Sequence, residues 1–228
     1  MLNPSRLSTV RTVLFCLLAA LAGSTGKAQA QAQTESSLDR VLSRFDLGVS
    51  GTGHFTKDVS GTNYFGVHVD QHSSNTFGAL VELRYTKSPW IGAQLNYSYA
   101  RYTQNFTNST PPPQYIIGGA QNNASEYSIG YVAHPPHPFY GLQPFLGVGG
   151  GATVFHPTAG GGQGLPQQGA ATIYYALGVE RSVLSPHFGI RAQFRQAFFL
   201  APDFYQNYLY TGQRSWTIQP GFGFYLHY

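Results

Sequence analysis

Apolar and polar residues take turns along most of this chain. Over its last thirteen residues, Trp216, Ile218, Pro220, Phe222, Phe224, Leu226 and Tyr228 are apolar or aromatic. The residues between them, Thr217, Gln219, Gly221, Gly223, Tyr225 and His227, are polar, small or amphipathic. Successive side chains of a strand point to opposite faces, so this spacing predicts one strand with an apolar face and a mixed face. The same period of two recurs in seven earlier segments, 45–55, 77–85, 91–99, 127–133, 144–154, 173–179 and 188–198. In the second, Phe77, Ala79, Val81, Leu83 and Tyr85 oppose Gly78, Leu80, Glu82 and Arg84. In the third, Ala93, Leu95 and Tyr97 oppose Gly92, Gln94 and Asn96. The pattern predicts an all-β chain of eight strands.

The connections alternate too. Long polar stretches, 57–76, 103–125, 156–170 and 201–214, follow the odd strands. Short proline-bearing ones, 86–90, 134–142 and 181–187, follow the even strands up to the sixth. This predicts an antiparallel up-and-down barrel over 45–228, with long loops on one rim and tight turns on the other. A tilted strand of about 9–11 residues spans bilayer hydrocarbon, and alternating segments of that length are the mark of a transmembrane barrel. An even strand count puts both termini on the rim of the short turns, expected to be periplasmic. Tyr85, Trp90, Tyr131, Phe188 and Tyr228 form a candidate lower aromatic girdle, and Phe55, Phe77, Tyr99, Tyr175 and Trp216 an upper one.

Residues 1–30 have the parts of a secretory signal peptide: basic Arg6 and Arg11, the apolar run 13–22, and small residues at Ala28 and Ala30. The polar stretch 31–44 reads as a short periplasmic lead-in. Cys16 follows Phe15 rather than a small residue, which speaks against lipidation. No stretch is apolar for long enough to form a spanning helix.

Composition sharpens this reading. Charged residues make up 10% of the chain, against about 25% in soluble domains. Outside the leader, ten basic and nine acidic residues remain, with Lys57 and Lys87 the only lysines. That is thin cover for the outside of a secreted soluble barrel, but adequate for a narrow lumen. No basic stripe exists to follow a phosphate backbone, so nucleic acid is not an expected partner. The single cysteine lies in the leader, which excludes thiol chemistry from the rest.

The leader, strand count, loop alternation and terminal strand together resemble the OmpA/OmpX-type family of small outer-membrane β-barrels. The resemblance implies a bacterial outer-membrane location with extracellular long loops. It also implies contact with outer-membrane lipid and lipopolysaccharide. Phe222, Phe224, Leu226 and Tyr228 resemble the terminal signal read by the outer-membrane insertion machinery. The peptidoglycan-binding domain that follows the barrel in full-length OmpA has no counterpart after residue 228, so cell-wall anchoring is not implied.

No motif points to a cofactor or a catalytic triad, and the expected role is structural or surface-interacting through the loops. Tyr115, Phe204, Tyr205, Tyr208 and Tyr210 are candidate contacts for an unidentified external ligand. A narrow channel for small solutes and a lipid-modifying enzyme are the alternatives. An eight-stranded barrel is only wide enough for its own side chains, which disfavours a pore. His68, Asp70 and His72 share one face of a short strand and are of types that bind zinc, copper or nickel, though loop histidines are more often solvated. His134 and His137 sit among prolines in a turn and read as solvated. The run Gly147, Gly149, Gly150 and Gly151 lies in a strand pattern with no following helix, so it reads as close packing rather than a phosphate loop.

The inward faces carry Glu82, Arg84, Glu126, Glu180, Arg191 and Arg195. Isolated buried charges are costly, so three acids and three bases imply a paired network, joined by Gln94, Asn96, Gln193 and Tyr174. Glu180 and Arg191 are expected within diagonal reach, and Glu126 has no evident partner. If the leader is cleaved after Ala30, N-terminal sequencing of the exported chain is expected to start at Gln31; a retained Met1 on a cytoplasmic product would refute export.

Overall fold

The computed structural model describes residues 41–108 and 115–227. The leader, most of the lead-in and Tyr228 lie outside them. Among the described residues the strands are β1 (Phe45–Thr56), β2 (Val59–Thr62), β3 (His68–Ser73), β4 (Thr76–Ser88), β5 (Ile91–Asn108), β6 (Tyr115–Ala133), β7 (Gln143–Pro157), β8 (Gln168–Ser185), β9 (Phe188–Leu200) and β10 (Arg214–His227). Eight of them close into an antiparallel barrel in the order β1-β4-β5-β6-β7-β8-β9-β10, with β10 returning to β1. No helix among the described residues is long and apolar enough to cross a membrane.

The period of two sets which way each side chain points. Leu95 is 53% exposed on the outside, whereas Gln94 beside it is 2% exposed. Leu83 and Val148 point outward with Leu95, and Glu82 and Arg84 point inward. The strand registers keep outward residues together, with Leu83 paired to Leu95 and Leu95 to Ile129. Inward glycines make room for inward rings. Gly130 pairs with Gly149, and a Cβ on Gly149 would lie 2.7 Å from Cε1 of Tyr174, whose ring occupies that space.

Three of the expected connections are different. The stretch 103–125 is not a long loop, because β5 runs to Asn108 and β6 starts at Tyr115. At about 3.3 Å per residue, their 18 and 19 residues reach about 60 Å, well past the alternating apolar span. Above that span Gln104, Phe106 and Asn108 still point inward and are buried, so period two persists although Gln104 and Asn108 are polar. Residues 181–187 form a turn only at Pro186-His187, with β8 and β9 extended on either side. The stretch 57–76 contains the β2–β3 hairpin. β4 begins at Thr76, which leaves the upper edge of β5 uncovered, and β3 pairs with it from Val69↔Asn108 to Ser73↔Gln104. An unpaired edge invites association with another chain; the hairpin covers that of β5 and leaves the four-residue β2 as the edge.

The upper interior holds an apolar cluster beside these buried polar side chains. Tyr102, Phe106, Phe155, Phe199, Phe204 and Leu209 form a buried cluster there. Phe204 and Leu209 come from the loop 201–213, which folds back into the barrel mouth. Phe204 is fully buried against Phe106, ring centroids 6.5 Å apart, so it is no external contact residue. Phe204→Ala is expected to destabilise the barrel by about 3–5 kcal/mol, and Phe65→Ala, on the exposed hairpin tip, by less than about 0.5 kcal/mol. Denaturant unfolding of the refolded barrel measures both.

Candidate functional site

Three layers fill the barrel beneath its upper, long-loop rim. The lowest gathers charges from four strands and a turn. Arg191 of β9 reaches Asp46 of β1 at 2.9 Å, Glu82 of β4 at 3.2 Å and Glu180 of β8 at 3.0 Å. Arg84 of β4 reaches Glu180 at 3.1 Å. His134, in the turn 134–142, lies 3.2 Å from Glu180 Oε1 and 3.3 Å from Arg84 Nη1. The Arg84 guanidinium sits 4.4 Å from the Phe145 ring centre, and that of Arg191 sits 5.0 Å from the Tyr225 ring centre. The aromatic faces carry partial negative charge and offset part of the lost hydration of the cations.

The middle layer is built on Arg195 and Glu126, which form a two-pronged pair. Arg195 Nη1 donates to Glu126 Oε2 at 3.0 Å and Nη2 donates to Oε1. Nη1 also donates to Gln219 Oε1 at 2.7 Å. The guanidinium lies 4.1 Å from the centre of the Tyr174 ring. The Tyr174 hydroxyl accepts from Gln94 Nε2 at 2.9 Å and from Asn96 Nδ2 at 2.7 Å. A bidentate arginine–carboxylate pair is among the stronger charge-assisted contacts, and here it spans the lumen between β9 and β6.

The upper layer is the apolar cluster already described, and polar contacts lock it. Gln168 Nε2 donates to Asp203 Oδ1 at 2.9 Å, and Asn63 Nδ2 donates to the Tyr208 carbonyl at 3.1 Å. Phe204 and Tyr205 take left-handed backbone angles, φ 51° and 56°. That conformation is costly for bulky residues and persists where surroundings over-determine it. Here the Tyr205 N–H donates to Asp203 Oδ1 at 2.9 Å, and the Phe204 N–H donates to Gln168. An interior void beside His54 and Glu126 is about 20 Å³, space for about one water. Below the lowest layer, between Pro135, His134, Glu180 and Tyr225, lies an open vestibule of about 580 Å³.

All six charged residues read from the sequence point inward, in two separate groups. Glu180 and Arg191 are directly opposite in register, not diagonal. Glu126 meets Arg195. His134 is 7% exposed and takes part in the lowest layer, contrary to its reading as solvated. Asp46, Phe145 and Tyr225 belong to that layer and went unrecognised. The alternation did place Asp46 on the inward face of the first strand, but nothing in the sequence put it beside Arg191.

Around the upper rim, Tyr64, Phe65 and Tyr205 are each about two-thirds exposed, and Tyr64 lies 4.4 Å from Tyr210, ring centre to ring centre. The side chain of Tyr115 lies outside the described residues. His68, Asp70 and His72 do share a face of β3. His72 is turned to Asp58 at 3.0 Å, and His68 lies 3.5 Å from Asp70. Among the described residues no three metal-binding side chains converge. Phe222, Phe224 and Leu226 are exposed on the outer wall, with Phe224 stacked on Phe188.

A polar, side-chain-filled interior and an apolar outside invite comparison with known barrels. Neisserial surface protein A superposes with a TM-score of 0.53 at 10% identity, over 81% of this chain and 97% of that one. The outer membrane protein OprG from Pseudomonas aeruginosa gives 0.52 at 13% identity, over 81% and 96%. The fold is that of the small eight-stranded outer-membrane barrels. At such identity the likeness speaks for the fold alone. No protein-family model matches the sequence, and no curated protein does.

The middle layer lends itself to a double-mutant test. Glu126→Ala and Arg195→Ala are each expected to cost about 3–5 kcal/mol, because each strands a buried charge. The double variant is expected to cost less than the sum, by equilibrium urea unfolding of the refolded barrel.

Proposed function

We propose that this chain is a bacterial outer-membrane barrel of the OmpA/OmpX type, non-catalytic, with a structural or surface-interaction role carried by its external rim. The observation that carries the reading is the inverted distribution of polarity. Val49, Leu95, Ile129, Ile173, Leu177 and Phe222 are all exposed on the outer wall, while arginines and carboxylates are buried inside. Water would penalise such a continuous apolar surface, and bilayer hydrocarbon would not. The outer wall then meets lipid and lipopolysaccharide, and the terminal strand with Phe222, Phe224 and Leu226 meets the insertion machinery. The filled lumen favours a closed barrel over a channel. The aromatic rim at Tyr64, Phe65, Tyr205, Tyr208 and Tyr210 is where an external ligand would bind, and Phe204 supports it from beneath.

Chymotrypsin treatment of intact cells tests the orientation. Cleavage is expected after Tyr64 or Phe65 on the hairpin tip, with Phe139 and Tyr140 on the opposite rim protected until the outer membrane is opened. The reverse order would turn the molecule over. In planar bilayers the purified barrel is expected to insert without a stable open conductance, and a large one would promote the channel reading.

A further inference from the structure

Charges on the outer wall are few, and toward its upper end they carry one sign. Among the described residues the lysines and arginines there are Lys57, Arg101 and Arg214, all exposed. Lys57 follows β1 and continues its ladder, its N–H donating to the Trp216 carbonyl at 2.9 Å. Arg214 lies two residues from Trp216 on the same outward face of β10. Lys57 and Arg214 are therefore diagonal neighbours across the β1–β10 seam, about 7–8 Å apart at the backbone. Trp216 adjoins both positions.

Like charges so placed repel each other, and the described acids at this end are turned elsewhere. Asp58, next to Lys57 in the chain, meets His72 at 3.0 Å and accepts from the Ser73 N–H at 3.1 Å. Asp70 accepts from the Ser60 hydroxyl, and Asp203 from Gln168 and the Tyr205 N–H. Arg101 stands apart on β5, where its Nε donates to Asn123 Oδ1 at 2.8 Å. Lys57 and Arg214 thus make one point on the wall that favours a doubly charged anion.

Below that point, on the same two strands, the wall is hollow. Pairing stops after Thr52↔Gly221 and resumes at Phe55↔Ile218, which leaves Gly53 opposite Pro220. Proline has no N–H to give to a ladder. Outside this gap lies a recess of about 950 Å³, walled by Phe55, Phe77, Phe194 and Phe222. Gly51 lines it opposite Phe222, and a Cβ there would meet nothing within 4 Å. From Phe55 to Gly51 the strand spans about 13 Å. The recess therefore starts two residues below Lys57 and descends toward the middle of the wall.

We propose that this seam binds a lipid whose head is a phosphate monoester. The phosphate lies between Lys57 and Arg214, and an acyl chain descends past Phe55 into the recess. A phosphocholine head carries its own cation, and inorganic phosphate has no tail, so neither matches both parts of the site. The proposal rests on the reading of the outer wall as lipid-facing.

The chain has two tryptophans, so Trp90→Phe leaves Trp216 as a reporter at the site. The full chain carrying that change is reconstituted in phosphatidylcholine vesicles. Quenching of Trp216 fluorescence is then compared for brominated-tail phosphatidic acid and brominated-tail phosphatidylcholine at equal mole fraction. Phosphatidic acid is expected to bind beside Trp216 about tenfold more tightly. Lys57→Gln combined with Arg214→Gln is expected to remove the preference, whereas Arg101→Gln, which takes a cation from the same rim, leaves it unchanged. Gly51→Leu fills the recess without a clash and is expected to weaken phosphatidic acid severalfold with both cations in place. An equal response to the two lipids, a loss in Arg101→Gln as large as in the double variant, or an unaltered Gly51→Leu response would each overturn the site. Absence of quenching by either lipid overturns the lipid-facing reading as well, whereas equal quenching by both overturns this inference alone.

Discussion

Closing eight strands on themselves leaves an interior about as wide as the side chains that fill it. Everything else in this molecule answers to that constraint. Half of each strand's residues must point into a space with no room for bulk water, yet these strands carry arginines and carboxylates there. The cost of removing such charges from water exceeds several kcal/mol per ion unless each finds partners. Arg191 meets that demand by drawing Asp46, Glu82 and Glu180 from three strands onto one guanidinium. Arg195 meets it with Glu126 across the lumen. The same bonds that offset desolvation tie distant strands together, so closure and neutralisation are one event.

The same constraint shapes the glycines and aromatics. Tyr174 crosses the lumen only because Gly130 and Gly149 leave space beside it. Its ring then lies over Arg195 and its hydroxyl takes two amide donors. Toward the upper rim the filling changes from charged to apolar, and the loop 201–213 completes it with Phe204 and Leu209. The rim is therefore a packed surface with a hydrophobic foundation. Its exposed aromatics are presented from a supported base, which suits a recognition surface whose affinity depends on limited loss of conformational freedom.

The wall is less uniform than the lumen. Seven of the eight seams carry no interior proline against an unpaired stretch, and the β1–β10 seam does. Loss of ladder hydrogen bonds in a lipid-facing wall is expensive because the bilayer offers no replacement. The gap lies opposite Pro220 in the seam between the first and last strands, where the barrel closes on itself.

The sequence alone determined the number of barrel strands, the inward or outward direction of their side chains and six of the interior charges, because a period of two is local and needs no knowledge of neighbours. Leu95 outward and Gln94 inward follow from adjacency in the chain. It did not determine which charges meet. Asp46, Glu82 and Glu180 lie far apart in sequence, and only the registers of four seams bring them to Arg191. His134 looked solvated because its neighbours are prolines; its burial depends on where the turn 134–142 folds relative to the lumen. The upward extension of β5 and β6 was hidden for another reason. Above the apolar span both faces can be polar, so hydrophobic alternation stops before the strands do. Phe204 shows the same limit from the other side: a loop aromatic reads as a contact residue until the tertiary structure shows a mouth of matching width for it to fill.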